Sequence, residues 1–437
     1  MKRIWQKLNK EKLVVILLVL IQVFVNKSAI YADPEQQVVC MVASGILLLL
    51  LSVYALYIQR KNMMWFMAGI LVLYFNYSLA ASVYFSPDAL PKSYKPFVYG
   101  ELLRGVNIVL VFLAVFLCVL KKGTGENKRL FTEKFSCDWL VTVGASVYIA
   151  AAPFLFYSTE SFGTRGIASA FYEYSLIVLI VALAFCGRNL KALFLLLIAS
   201  GWIIVHGLLH GERILALQMM IALGVYLMLH KISLKLIIPG CLVGIFVFTL
   251  VGLSRGLTDL EGDIITQAFE FLKTRGMAND TCYAAFKTSL NVIRFADVTP
   301  WPDRMLFFLR YLLYIVAGSA VKDVNLAVLA LKVGTHGGGG WLPVYFYFWL
   351  GYLGVILSGA ALGKLVNKLS EVHVGDKFLS YLALYVVSTL PRWYLYSPAA
   401  LTRGLLMYIL VFTAAALAHR IAGKVYRLCT GMLKKGN

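Results

Sequence analysis

Charged side chains are scarce in this 437-residue chain, at 14% of all residues where a water-soluble domain carries roughly 25%. That scarcity excludes a soluble body of two or three domains, because too little polar surface exists to cover one. Hydrophobic residues make up 60% of the chain, and its mean hydropathy is +0.79. Cysteine is sparse too. The seven residues Cys40, Cys118, Cys137, Cys186, Cys241, Cys282 and Cys429 have no paired spacing, so no disulfide framework is implied. Also missing are a zinc-ligand spacing, a P-loop, a dinucleotide fingerprint and an internal repeat that aligns. Those absences exclude a transporter with its own nucleotide-binding domain and lead us to expect neither metal nor cofactor.

What the chain does contain is apolar helix. Runs long enough to cross ~30 Å of hydrocarbon as helices fall near 13–31, 38–59, 63–85, 105–120, 139–157, 172–187, 192–210, 214–230, 236–253, 341–363, 378–396 and 401–419. They predict an all-α polytopic membrane protein with about twelve transmembrane helices. Residues 1–253 hold the first nine. Residues 254–340 form a long, partly helical external loop, and 341–437 hold the last three helices and a basic cytoplasmic tail. The first run follows a basic stretch (Lys2, Arg3, Lys7, Lys10 and Lys12), but no small-residue cleavage site precedes the second run. It reads as a span, not a signal peptide.

The net charge of +20 has a direction. With the N-terminus inside, alternate loops place 24 basic and six acidic residues inside, against 17 basic and 15 acidic outside. This is the positive-inside pattern of an inner-membrane protein with both termini cytoplasmic, and it needs no nucleic acid to explain it. Residue type sharpens the point. Of 25 lysines 18 lie inside, whereas ten of 16 arginines lie outside: Arg104, Arg165, Arg213, Arg255, Arg275, Arg294, Arg304, Arg310, Arg392 and Arg403. Guanidinium forks suit phosphate and carboxylate oxygens. The plainer alternative is that these arginines pair with the external acids.

Inside the external loop, Met305 to Ala320 is apolar but short and is interrupted by Arg310. Parity of the crossings keeps it outside, as a helix in an outer vestibule or a re-entrant segment. Residues 262–276 place Ile264, Ile265, Ala268, Phe269 and Leu272 on one helical face, which suits an interfacial helix or a lid.

Three places carry candidate chemistry. His206, His210, Glu212 and Arg213 cluster where the seventh span turns into the eighth, on the outer side. Ionisable groups this close to hydrocarbon mark a pathway or a site, or else serve as snorkelling anchors. The two histidines share a helix face, but no third metal ligand accompanies them. Next comes the run from Gly334 to Pro343, in which His336 precedes Gly337, Gly338, Gly339 and Gly340. Four glycines let backbone N–H groups cradle an anion, or else make a hinge, and His336 is a candidate base near neutral pH. Trp341, Tyr345, Tyr347 and Trp349 follow as an aromatic belt. Last, Arg104, Arg165, Arg392 and Arg403 recur at outer helix ends, the last two flanking Tyr394 and Tyr396. If they converge, they form a basic pocket suited to a lipid-linked pyrophosphate.

The span count, the late external loop, the Gly211-Glu212-Arg213 turn, the His336–glycine run leading to Gly351-Tyr352-Leu353-Gly354, and the Arg392/Arg403 hairpin together resemble bacterial Wzy-type polymerases of O-antigen and capsule repeat units. The resemblance covers most of the chain. O-antigen ligases share the layout. The resemblance implies a metal-independent glycosyltransferase of the GT-C type. Its partners would be a glycan donor and an acceptor repeat unit, both on undecaprenyl pyrophosphate, together with membrane lipid and a chain-length regulator protein. Under it Arg165, Arg213, Arg255, Arg392 and Arg403, with Gly337 and Gly338, would bind the pyrophosphate. His336 or Glu212 would act as the base beside Arg213. Asp259, Glu261 and Asp263 are further bases or ligands to weigh, or solvated loop charges. A ligase or a lipid-linked oligosaccharide flippase is the alternative. Against a flippase, the mid-span regions are nearly charge-free and the two halves differ.

Overall fold

A computed structural model describes residues 10–84, 99–123, 130–131, 136–158, 166–210, 212–231, 280–334, 338–373 and 375–435, with scattered positions between 235 and 273. Among these, helix dominates, and the sheet is one two-residue antiparallel pair, β1 (Tyr157–Ser158) with β2 (Ile167–Ala168). The protein is an all-α membrane protein: seven described helices are long and apolar enough to cross a bilayer, and four more are apolar but shorter. Ten of the twelve apolar runs each coincide with one described helix, and an eleventh, 378–396, falls on two. The ninth, 236–253, and the 262–276 segment lie largely outside the described residues, as do Asp259, Glu261 and Asp263.

The chain folds as two compact units, each assembled from non-adjacent segments. The first comprises 1–125, 233–371 and 390–401. It contains α1 (Lys10–Ala29), α2 (Pro34–Gln59), α3 (Met63–Tyr84), α4 (Tyr99–Val119), α9 (Asp280–Val298), α10 (Trp301–Ala317), α11 (Leu326–Leu329), α12 (Leu342–Ser370) and α14 (Leu390–Leu395). The second comprises 126–232, 372–389 and 402–437. It contains α5 (Trp139–Leu155), α6 (Ala170–Phe185), α7 (Leu190–Leu209), α8 (Arg213–Met228), α13 (Lys377–Ser388) and most of α15 (Ala399–Lys435).

Two devices hold the first unit together. Apolar burial distinguishes poorly between lipid and protein, so small residues and polar contacts decide which helices meet. Gly359 and Gly363, four residues apart on α12, lie so close to α4 that a Cβ would stand 2.8 Å from the Phe112 carbonyl oxygen and 2.9 Å from Val119. Buried amides join the helices next to them. Asn26 donates to Ser44 Oγ at 2.8 Å and to Asn107 Oδ1 at 2.6 Å, tying α1 to α2 and α4. Asn76 of α3 donates to Ser52 Oγ and accepts from Tyr394 of α14.

Helix α9 is buried or half-buried on all sides up to Ala296 within this unit. Phe286 and Leu290 press on α4 at Gly105, and Trp341 donates its backbone N–H to Ser289 Oγ at 2.8 Å. Helix α10 covers most of the 305–320 run that the sequence marks as a short apolar helix. Arg304, Phe307, Phe308 and Tyr311 meet the α12 stretch from Tyr347 to Trp349, where α10 crosses α12, and Phe307 also meets Phe295 of α9. Just past the crossing α12 is broken at Gly351, whose φ of 60° is left-handed.

In the second unit the starts of the helices are capped as their sequences dictate. Asp138 accepts from Val141 N, Ser169 from Tyr172 N, Asn189 from Lys191 N and Asp376 from Leu379 N, each filling an orphan donor of a first turn. The predicted span 378–396 requires correction. It is two helices, α13 and α14, divided at Thr389 and assigned to different units. Pro391 is the reason: it lacks the N–H that a continuous helix would donate to Val387 and disfavours helical backbone just before it.

Candidate functional site

Each unit has two chemically different ends. In the first, the start of α1 and the ends of α2, α4 and α12 gather lysines. Lys12 Nζ donates to the carbonyls of Cys118 at 2.7 Å and Leu120 at 3.0 Å, closing the C-terminus of α4. Lys121 pairs with Glu371 at 2.6 Å, and Gln59 donates to the Lys121 carbonyl.

The other end of the first unit carries arginines, and most of them have protein partners. Arg104 makes a two-pronged contact with Asp297, both bonds 2.8 Å. Arg294 grips Glu101 in the same way, with Nε–Oε1 at 2.7 Å, and that carboxylate raises the Arg294 pKa. Arg304 donates to the carbonyls of Tyr347 and Phe348 and lies over the Trp301 ring; its burial lowers its pKa. Arg310 lies against Phe307. For Arg104 and Arg294 the pairing alternative is therefore the observed one.

The glycine run meets α14 in this unit. Gly339 has a φ of 136°, and a Cβ there would stand 2.7 Å from the Tyr396 ring. Gly340 N–H donates to the Tyr396 carbonyl, which also accepts from Tyr345 Oη at 2.6 Å. With Trp341 N–H held by Ser289, two backbone donors of the expected cradle already have partners. Gly338 is exposed, with nothing within 4 Å of a Cβ. Arg392 stands half-buried one turn before Tyr396, so the glycines and this arginine share one end of the unit. His336, Gly337, Arg165 and Arg255 lie outside the described residues.

In the second unit the ends of α5 and α7 and the starts of α6 and α8 converge on tyrosines and histidines. Tyr157 Oη donates to the His210 carbonyl at 3.2 Å and accepts from Gly166 N at 2.7 Å. Tyr172 Oη and His206 Nδ1 are 3.2 Å apart, and the rings of His206 and His210 are 4.6 Å apart. His210 is buried; His206 is half-buried with its Nδ1 engaged. Glu212 occupies the N-cap position of α8 without a side-chain cap bond, and its carboxylate acts electrostatically on Tyr172. Arg213 is the first residue of α8. It is half-exposed, and no hydrogen bond or ion pair holds it to any described residue. Arg403 joins this end through Nε to Tyr174 Oη at 3.1 Å. At the opposite end of the unit His419 Nδ1 meets Asp138 Oδ2 at 2.6 Å.

Chemically, this second end has what an anion needs: a guanidinium whose donors have no partner among the described residues, at a helix N-terminus where the helix dipole adds positive potential. Glu212, His206 and His210 stand near it as groups able to move a proton. Among the described residues, no three His, Cys, Asp or Glu side chains are grouped to hold a metal ion. Sequence reading overlooked Tyr157, Tyr172 and Tyr174, for which no local signal exists. It also overlooked α9, for which one does: Cys282, Tyr283, Phe286, Leu290 and Ile293 recur at helical spacing and are buried. No protein-family model matches the chain, and no curated protein or solved structure matches it either.

Proposed function

We propose that the protein polymerises lipid-linked oligosaccharide repeat units by glycosyl transfer at the outer face of a bacterial inner membrane, as a Wzy-type polymerase of O-antigen, capsule or exopolysaccharide. The observation that carries this reading is Arg213: a half-exposed guanidinium at the start of α8, unpaired among the described residues, directly after Glu212 and shortly after His206 and His210 in the chain. Twelve crossings with both termini cytoplasmic put this end outside and the lysine end inside.

In the reaction an acceptor hydroxyl on one repeat unit attacks the anomeric carbon of the glycan carried on undecaprenyl pyrophosphate. The C–O bond to the acceptor forms, the C–O bond to the pyrophosphate breaks, and the hydroxyl proton passes to His336 or Glu212. Negative charge builds on the leaving pyrophosphate at a boundary of low dielectric, where fixed cations act most strongly. Arg213 is the first such cation. Arg165, Arg255, Arg392 and Arg403, with the backbone of Gly337 and Gly338, complete the binding set. No metal or cofactor enters the scheme, and a chain-length regulator is the protein partner.

The test is the surface glycan of a deletion strain, resolved by length. A polymerase predicts loss of the ladder with a single capped repeat unit remaining. Loss of every repeat, including that one, points instead to a ligase or a flippase. A cysteine placed at residue 290 that is labelled only from the cytoplasm would contradict the orientation.

A further inference from the structure

At the lysine end of the first unit, apart from the residues assigned to glycosyl transfer, an open crevice runs between α2, α3, α4, α12 and α14. Its cavity volume is about 60 Å³, and one side is open. Its walls are apolar, with Ala55, Ala68, Val72, Phe112, Phe116 and Leu362 among them. From Ser52 to Gln59 along α2, at 1.5 Å per residue, the lined length is roughly 10 Å. That is room for a segment of one hydrocarbon chain, with the rest of the chain beyond the open side.

One end of the crevice is not apolar. Gln59 and Trp65 line it, each 5% exposed or less, yet Gln59 Oε1 and Trp65 Nε1 have no hydrogen-bond partner. Asn62, fully buried between them in sequence, has an unpartnered Nδ2 as well. Buried polar atoms away from water are costly to leave unpaired, so the ligand must accept from Trp65 and donate to Gln59. A water satisfies both demands, but it leaves the apolar walls unfilled, and apolar cavities stay dry.

Charge narrows the choice. Arg60, Lys61, Lys121 and Lys122 follow directly on the residues at this end and are exposed. The described carboxylate that joins them, Glu371, is taken by Lys121. We propose that the crevice is a lipid site for an anionic phospholipid. One acyl chain lies between the helices, a phosphate oxygen accepts from Trp65 Nε1, and a head-group hydroxyl donates to Gln59 Oε1. Phosphatidylglycerol has that combination of groups. Phosphatidylcholine lacks both the net charge and the donor.

The test uses the full chain in neutral detergent, with dioleoyl phosphatidylglycerol and dioleoyl phosphatidylcholine as competing probes and retained lipid read by native mass spectrometry. Wild type should retain the glycerol lipid about tenfold over the choline lipid, a difference of about 1.4 kcal/mol. Ala68→Phe, which fills the crevice, should abolish that preference. Trp65→Phe, which keeps the ring and removes the N–H, should weaken retention about fivefold, the weight of one hydrogen bond. Circular dichroism checks that both variants stay helical, and Trp65→Phe alone decides the matter if Ala68→Phe does not fold. Equal retention of the two lipids by wild type would overturn the proposal. So would a preference that survives both substitutions, since that is surface attraction to lysines only. Displacement of phosphatidylglycerol by undecaprenyl phosphate at equal concentration would overturn it too.

Discussion

Arg104 and Arg294 in the first unit each meet a carboxylate through two donors, and Arg304 meets two main-chain carbonyls. Arg213 in the second unit meets no such group among the described residues, although it directly follows Glu212, whose carboxylate acts on Tyr172. Both sets belong to the ten arginines that the positive-inside reading expects outside, yet their partnering differs. The first set clamps α9 and α10 onto α4 and α12. Arg213, at a helix start, has no partner for its donors among the described residues. Residue type alone is therefore a poor guide to function, and partnering is a better one: an arginine held by a neighbouring carboxylate is part of the architecture, and one whose donors remain open is where a substrate anion would bind.

That contrast can be broken most easily at Arg213. Arg213→Ala should cut polymer formation by about 10²-fold or more, the scale of losing one group that stabilises developing charge, with the protein still folded in the membrane. Arg104→Ala should instead lower thermal stability and leave chain length alone. If both substitutions abolish the polymer in a folded protein, the contrast is wrong. The helix contact beneath Arg104 offers the next largest effect. Gly359→Leu should destabilise by about 1–3 kcal/mol, because the added side chain meets the Phe112 carbonyl instead of open space, measured as a drop in Tm in detergent. Asn26→Leu should cost about 1–2 kcal/mol by leaving Asn107 and Ser44 short of a partner. Smallest is the Arg294–Glu101 clamp. Its two side chains are 43% and 29% exposed, so a double-mutant cycle should return about 1 kcal/mol or less. A much larger coupling would show that solvent screens the pair less than its exposure implies.

The placement of α10 sharpens the comparison from another side. Leu306, Leu309, Leu313 and Val316 form an exposed apolar stripe on this helix. A helix that crosses α12 near the surface should hold all four at one shallow depth. Spin labels at these positions should show uniform accessibility to oxygen and protection from a water-soluble relaxant. A depth that changes steadily along the stripe would make α10 a crossing segment and invalidate the parity that keeps 254–340 outside.

Helix content and most helix limits were legible in the sequence because hydrocarbon imposes length and apolarity on each span. Caps at Asp138, Ser169, Asn189 and Asp376 were legible for the same local reason. The break before Pro391 was visible but was overridden by the apolar run around it. The grouping of helices into two interleaved units was not legible, since it depends on Gly359, Gly363 and the Asn26–Asn107 contact, 81 residues apart. At the candidate site, Glu212 and Arg213 stand out by their charge at a span boundary. Their tyrosine neighbours do not, because Tyr157 and Tyr172 look like any interfacial aromatic until β1 and the first turn of α6 bring them to His206 and His210.

The most direct test of the account is complementation of the deletion strain with wild type, Arg213→Ala and Arg104→Ala, each checked for membrane level, followed by a gel of the surface glycan. The account predicts a full ladder with wild type and with Arg104→Ala, and single repeat units with Arg213→Ala. A full ladder with Arg213→Ala, or an unchanged ladder in the deletion strain itself, would contradict it.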